Sequence, residues 1–440
     1  MAFDPPLRAE PRPVMRSTTR IRRVSAHPVV LWSAFVIVHV ALARLAFTNG
    51  GLPLGDVISV YKPWAQLAQD HAMVVGITTP WVYPIGALVP IMAPLLLGAD
   101  NYAAGWLLMV LLLDAGAFTV LIVGSHRRNL IAAWWWLGFL LLLGPVAIGR
   151  LDAVSVPIVI VALLWLGLRE RLAVVLITVA TWIKVWPAAI ILSMLIVLRG
   201  RWRILGTVLA TSLVFVILAV TFGSGLNVLS FITMQAGRGL QIEAPVSTLW
   251  MWATSFGLGH SFVYYDTTLL TFQVTGAGSS IASSLMTPLL GAAVIVVVLI
   301  GVRGIRHHAS VVRVLPPLTL ALVVTLIAFN KVGSPQYITW LAAPVILGLV
   351  YQGRAFRTPA ILVAVIAALT QLFYPYLYDW ILAANPVMLL VLTARNVLLF
   401  VVLGWSVRSL WGGARAGDLH EPDLPGTAIW PFRSREEVEV

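Results

Sequence analysis

The sequence predicts an all-α, polytopic helical membrane protein of about twelve transmembrane helices. Three observations carry that reading. Of the 440 residues, 60% are hydrophobic and only 10% are charged, with a mean hydropathy of +0.94. Apolar stretches of about 15–25 residues recur between Gly, Pro and Arg clusters, the length a helix needs to cross a bilayer. The alternation of a membrane β-barrel is missing, and lipid offers the backbone no hydrogen bonds, so helices remain. An ordinary soluble domain is excluded.

The formal charge of +12 invites a nucleic-acid reading, but its distribution argues against one. Arg8, Arg12, Arg16, Arg20, Arg22 and Arg23 precede the first span, and further basic clusters fall in short loops. Such placement anchors the cytoplasmic side of a membrane protein. The chain has no cysteine, hence no disulfides and no thiol chemistry. Residues 29–47 read as an uncleaved signal anchor. Residues 1–26 and 412–440 read as disordered cytoplasmic tails around a membrane domain over 27–411.

Within that domain the spacing predicts spans near 29–47, 102–124, 130–143, 153–168, 171–183, 186–198, 204–222, 284–302, 314–329, 336–351, 358–378 and 386–408. Two cytoplasmic termini then put the loops 126–128, 169–171, 199–203, 303–313 and 354–357 on one side, all of them basic. The run 84–98 is short for a crossing and is read as a re-entrant or interfacial helix on the outer side. The outer side holds the long segments 48–83 and 223–283, with turns at 144–152, near 184, and at 330–335 and 379–385. No internal repeat points to an inverted-repeat transporter.

The outer segments collect the unusual polar residues. Asp56 stands in Leu52-Pro53-Leu54-Gly55-Asp56-Val57, near Tyr61, Lys62, Trp64, Trp81 and Tyr83. A carboxylate there suits a base acting on a substrate at the lipid boundary. Arg150 and Asp152 fall in one turn, where they either pair with each other or face a site. Lys184 stands in Thr181-Trp182-Ile183-Lys184-Val185-Trp186-Pro187, Arg238 and Glu243 in 238–243, and Lys331 in 330–337. An ionisable residue at a helix centre costs about 2.5–3.5 kcal/mol on insertion scales, so these side chains should face the bundle interior or a wet cavity. Cations converging on one face suit a phosphate at membrane depth. Asp114 is expected to pair with Arg395 or Lys184, and His39 to be a neutral, hydrogen-bonded interior residue. Trp134, Trp135, Trp136, Tyr374, Tyr376, Tyr378 and Trp380 read as interfacial belts. Metal binding has little support, because the outer loops lack an Asp-x-Asp pair or a His/Glu cluster. Without a Walker loop or a soluble domain for a nucleotide sugar, an energy-rich donor would arrive in the lipid.

Gly55-Asp56-Val57 followed by Tyr61, Trp64 and Tyr83-Pro84 resembles the opening of GT-C superfamily glycosyltransferases. The segments 184–187, 238–243 and 331–337 look similar to the actinobacterial polyprenyl-phosphate-mannose-dependent α-mannosyltransferases, including those that extend phosphatidylinositol mannosides. The resemblance implies a GT-C-like fold with a long first outer loop. It also implies an inverting transfer on the extracytoplasmic face of a bacterial cytoplasmic membrane, with Asp56 as general base. Tyr61, Lys62, Tyr83, Lys184, Arg238, Glu243, Lys331, Gln336 and Tyr337 would bind substrate. The implied partners are a polyprenyl-phosphate sugar donor and a cell-envelope lipid or glycan acceptor, with no cofactor and no nucleic acid. The first loop departs from many relatives in having Thr79-Pro80-Trp81-Val82, without a second acid before the Tyr-Pro pair. A secondary transporter is the alternative, and a lipid-binding scaffold a third reading.

Overall fold

A computed structural model describes residues 27–48, 53–123, 126–234, 238–267, 269–307 and 310–413. The N-terminal arginine cluster, His308 and the chain beyond Gly413 lie outside the described residues, and with them the expectation of disordered tails. Helix α1 spans Pro28–Thr48. A π-wound turn, Val57–Tyr61, runs directly into α2, Lys62–Gln69. The run predicted as interfacial breaks into a 3-10 turn Ile85–Ala87, the short α3 Leu88–Met92 and a second 3-10 turn Ala93–Leu97. Next come α4 (Tyr102–Ile122), α5 (Arg127–Leu143), α6 (Asp152–Trp165), α7 (Glu170–Ile183), α8 (Ala188–Val197) and α9 (Arg201–Thr221). The long outer segment holds α10 (Ser230–Thr233), β1 (Leu240–Gln241), α11 (Thr248–Ser255), β2 (Phe262–Asp266) and β3 (Thr271–Thr275). The chain closes with α12 (Ser279–Arg306), α13 (Val311–Ala328), α14 (Ala342–Gln352), α15 (Arg357–Phe373), α16 (Tyr378–Leu382) and α17 (Pro386–Gly413).

Helices occupy all twelve predicted stretches. Among the described residues, eight helical stretches are long and apolar enough to cross a membrane, including one continuous run, Pro335–Phe373, where two spans were predicted. Helices α6, α7 and α8 have only 14, 14 and 10 residues. At roughly 1.5 Å per residue they reach about 21, 21 and 15 Å, against a hydrocarbon core of about 30 Å. Buried α13 and α14 are apolar on all sides and form the centre, as an all-round hydrophobic helix requires. Helix α13 packs on α17, α12, α14 and α8, while α6 packs on α7 and α4. By contrast α9 and α12 expose Leu213, Ile217, Ile295 and Leu299 to lipid.

Charge sorts to the two ends as the loops predict. At one end Arg128 donates to the Tyr351 carbonyl at 2.8 Å. Gln352 donates to the carbonyls of Val312 and Arg313, and the Arg303 guanidinium lies 4.1 Å from the Trp411 ring centroid. The opposite end gathers the outer segments.

Three expectations are corrected. Asp114 pairs with neither Arg395 nor Lys184: its carboxylate meets His39 Nε2 at 3.0 Å, and His39 Nδ1 meets the Phe35 carbonyl at 2.9 Å. Trp136 is 1% exposed and packs on Phe118 inside the bundle, so it belongs to no belt. The outer segment also carries an antiparallel three-stranded sheet of order β1-β3-β2, which the helical reading omitted. Phe262-Val263-Tyr264-Tyr265 and Thr271-Phe272-Gln273-Val274-Thr275 are aromatic and β-branched runs flanking a short turn, a legible hairpin signal.

Candidate active site

Asp56 opens a helix whose next turn is π-wound, closed by the Lys62 N–H donating to the Val57 carbonyl. Single π turns of this kind concentrate at functional sites. Val57 and Tyr61 are buried and fasten the turn, while the Asp56 side chain keeps 35% of its exposure. Aromatic rings set the segment in place. Tyr61 packs 5.2 Å from Trp106, Trp64 lies 5.6 Å from Trp81, and Trp81 lies 5.5 Å from Tyr83. The Leu151 N–H points at the Tyr61 hydroxyl. Ser230 latches residue 81 by accepting its N–H at 2.7 Å.

Arg150 and Asp152 do not pair with each other, because neighbours two apart on a helical turn face different ways. Each takes a partner from elsewhere. Arg150 Nε lies 3.0 Å from Asp56 Oδ2. Asp152, fully buried at the first turn of α6, where the helix dipole favours an anion, receives Lys184 Nζ at 3.3 Å and the Trp340 indole N–H at 2.5 Å. The Lys184 ammonium also lies 4.6 Å from the Tyr83 ring centroid and 5.8 Å from that of Tyr337. Tyr337 stacks on Trp340 at 4.1 Å, and Trp340 on Trp186 at 5.8 Å. Burial alone would lower the Lys184 pKa, but Asp152 and the tyrosines outweigh it and hold the group above its ordinary value. Lys184 is thus a cation already neutralised.

Arg238 and Lys331 are arranged differently. Both line a cavity of about 330 Å³, together with Tyr264 and with Ser279, Ser280 and Ser283 at the start of α12. The Arg238 Nε is buried without a partner among the described residues. Burial, and then the Arg238 charge, lower the Lys331 pKa, so the two cations sit close enough to repel. Their loops are tied together. The Gln241 N–H donates to the Lys331 carbonyl at 3.0 Å, and Ser334 donates to the Gln241 side chain. Arg395 donates to the carbonyls of both Glu243 and Gly333. A Cβ on Gly333 would fall 2.2 Å from the Ala244 nitrogen. Gly333→Ala should therefore force these loops apart, and is expected to lower the thermal midpoint of the detergent-solubilised protein.

The other predicted residues divide. Tyr61, Tyr83 and Tyr337 join the cluster around Arg150 and Lys184. Tyr83 is the hub, within electrostatic reach of Tyr61, Arg150, Lys184 and Tyr337. Glu243 is 1% exposed and accepts the Tyr378 hydroxyl at 2.6 Å. Burial raises its pKa, and it supports the site from behind. Lys62 makes no side-chain hydrogen bond or ion pair among the described residues. Gln336 contributes its carbonyl to Thr339. Sequence reasoning missed Tyr374, whose hydroxyl accepts Arg150 Nη2 at 2.6 Å, and Trp340. It took the tyrosines 374 and 378 for belt residues, but in Tyr374-Pro375-Tyr376-Leu377-Tyr378 those two rings turn inward and only Tyr376 is exposed.

With this geometry in view, comparison with known proteins gives one match. The model of glycosyltransferase family 87 matches residues 81–277. That match, with the apolar helices, supports an integral membrane glycosyltransferase. It spans Arg150, Asp152, Lys184, Arg238 and Glu243, while Asp56, Lys331 and Tyr374 lie outside it. No curated protein and no solved structure matches the chain. The transporter alternative gains nothing from the geometry, since the polar cluster gathers at one end rather than at paired broken helices near the midplane.

Proposed function

We propose that the chain transfers a sugar from a polyprenyl-phosphate donor to a hydroxyl of a cell-envelope lipid or glycan by a single inverting displacement. A carboxylate at the lipid boundary and two cations lining one cavity carry this reading. Two carboxylates each hold one cation, Asp56 with Arg150 and Asp152 with Lys184. Arg238 and Lys331 together line a cavity with serine residues. Asp56 takes the proton of the acceptor hydroxyl as that oxygen bonds to the anomeric carbon. The bond from that carbon to the phosphate oxygen breaks, and its electron pair leaves with the polyprenyl phosphate.

The charge on that phosphate rises from about −1 in the diester to about −2 in the departing monoester. Two cations match the product better than the donor, so they stabilise the transition state more than the ground state. The half-buried Tyr337 ring, backed by the buried Trp340 and Trp186, is the part of this stack that could meet the sugar. Mannose as that sugar, and the extracytoplasmic face as the location, rest on the resemblance to the polyprenyl-phosphate-mannose enzymes.

Proteoliposomes given labelled polyprenyl-phosphate mannose and a lipid acceptor extract test the reading. A glycosylated product supports it, and solute uptake without product overturns it. Replacing Arg238 with Gln or Lys331 with Met should each lower kcat/KM by about 10- to 100-fold, with the donor KM rising. Because its pKa is lowered, Lys331 discharges as pH rises below the ordinary lysine value. Activity should fall there, and Lys331→Arg should carry that alkaline limb upward.

A further inference from the structure

Arg150 is 4% exposed, and the groups around it hold it in place. Nη1 donates to the carbonyls of Pro53 and Gly149, each at 2.8 Å. Nη2 donates to the Tyr374 hydroxyl oxygen at 2.6 Å, and Nε faces Asp56 Oδ2 at 3.0 Å. An arginine beside a carboxylate favours a two-pronged fork that engages both carboxylate oxygens. The prong that would complete such a fork with Nε is Nη2, which bonds the Tyr374 hydroxyl and makes no hydrogen bond to Asp56 among the described residues.

Tyr374 is itself braced. It follows the buried end of α15 at Phe373. Its ring meets the Tyr378 ring edge-on at 5.1 Å and 88°, and the Tyr378 hydroxyl is fixed on Glu243. Arg395 holds the Glu243 carbonyl from below. A connected set of side chains therefore runs from the buried Glu243 to the half-open Asp56.

We propose that Tyr374 is a positioning residue: by taking Nη2 it keeps Arg150 from forking onto Asp56, so one carboxylate oxygen stays open to the acceptor hydroxyl. The inference rests on Asp56 being the base. Without the Tyr374 oxygen, Nη2 turns to the carboxylate, holds it more firmly ionised and weakens it as a base. The charged and titratable groups facing this carboxylate are Arg150, Tyr61 and Tyr374, with Asp152 behind Tyr61.

The test uses the full-length chain in proteoliposomes with labelled polyprenyl-phosphate mannose. Tyr374→Phe should lower kcat by about 10- to 100-fold while the donor KM changes little. The acid limb of kcat/KM should move to lower pH. An infrared difference titration, with the Asp56 band assigned by its loss in Asp56→Asn, should shift the same way. In an Arg150→Lys background, where an ammonium cannot fork, adding Tyr374→Phe should move neither quantity further. An unchanged kcat overturns the inference, as does a fallen thermal midpoint with limb and carboxyl band unmoved. Full activity in Asp56→Asn instead overturns the assignment of the base, while the infrared titration still reports whether Tyr374 governs that carboxylate.

Discussion

Asp56→Asn is expected to lower kcat by about 10²–10⁴-fold, the range a positioned general base contributes. Donor binding should be nearly intact, because the cations proposed to hold the phosphate, Arg238 and Lys331, line a cavity to which Asp56 contributes no wall. Asparagine preserves the shape but cannot take a proton, and it leaves Arg150 without its anion. The measurement is single-turnover transfer beside equilibrium binding of the labelled donor. Retained transfer removes Asp56 from the chemistry, and lost binding shows that it holds the donor rather than activating the acceptor.

The second large effect concerns stability. Asp152→Ala would strand the Lys184 ammonium and the Trp340 indole N–H in a buried site. Breaking a buried pair by removing one partner costs about 3–5 kcal/mol. Asp152→Leu with Lys184→Met removes both charges and should recover most of that loss. Denaturation in detergent distinguishes the two. If the double variant is as unstable as the single one, the ion pair is not what holds α6 to the end of α7. If it is stable yet inactive, the pair serves the reaction beyond holding the fold.

The helices were legible because hydropathy is a local property, and each apolar run became a helix whatever its neighbours did. The polar partners were not, since their choice depends on geometry across the bundle. Arg150 and Asp152 look like a pair in the chain, but the turn between them sends one toward the first outer loop and the other toward α7. Asp114 has cations to choose from in the sequence and meets His39 instead, because α1 sets Trp32, Phe35 and His39 against Phe118 and Asp114 of α4. Lys184 announced itself by standing among apolar residues. Arg238 and Lys331 did so by charge, while the serines beside them carried no signal until α12 brought them to the cavity. Tyr374 looked like an interfacial ring because its type is common at headgroups, and only its hydroxyl's neighbour gives it a different role.

The brevity of α6, α7 and α8 has a consequence for traffic. If their basic ends lie level with the other loops, their opposite ends would stop roughly 9 Å (α6, α7) to 15 Å (α8) short of the far edge of the hydrocarbon core. On that geometry water would reach the polar side chains through a notch in the leaflet. On the proposed reading, a long isoprenoid carrier could deliver its cargo while its tail stayed among the acyl chains, and a water-borne glycan could descend to meet it. The enzyme would then work at a seam between two solvents, lifting neither reactant fully out of its own.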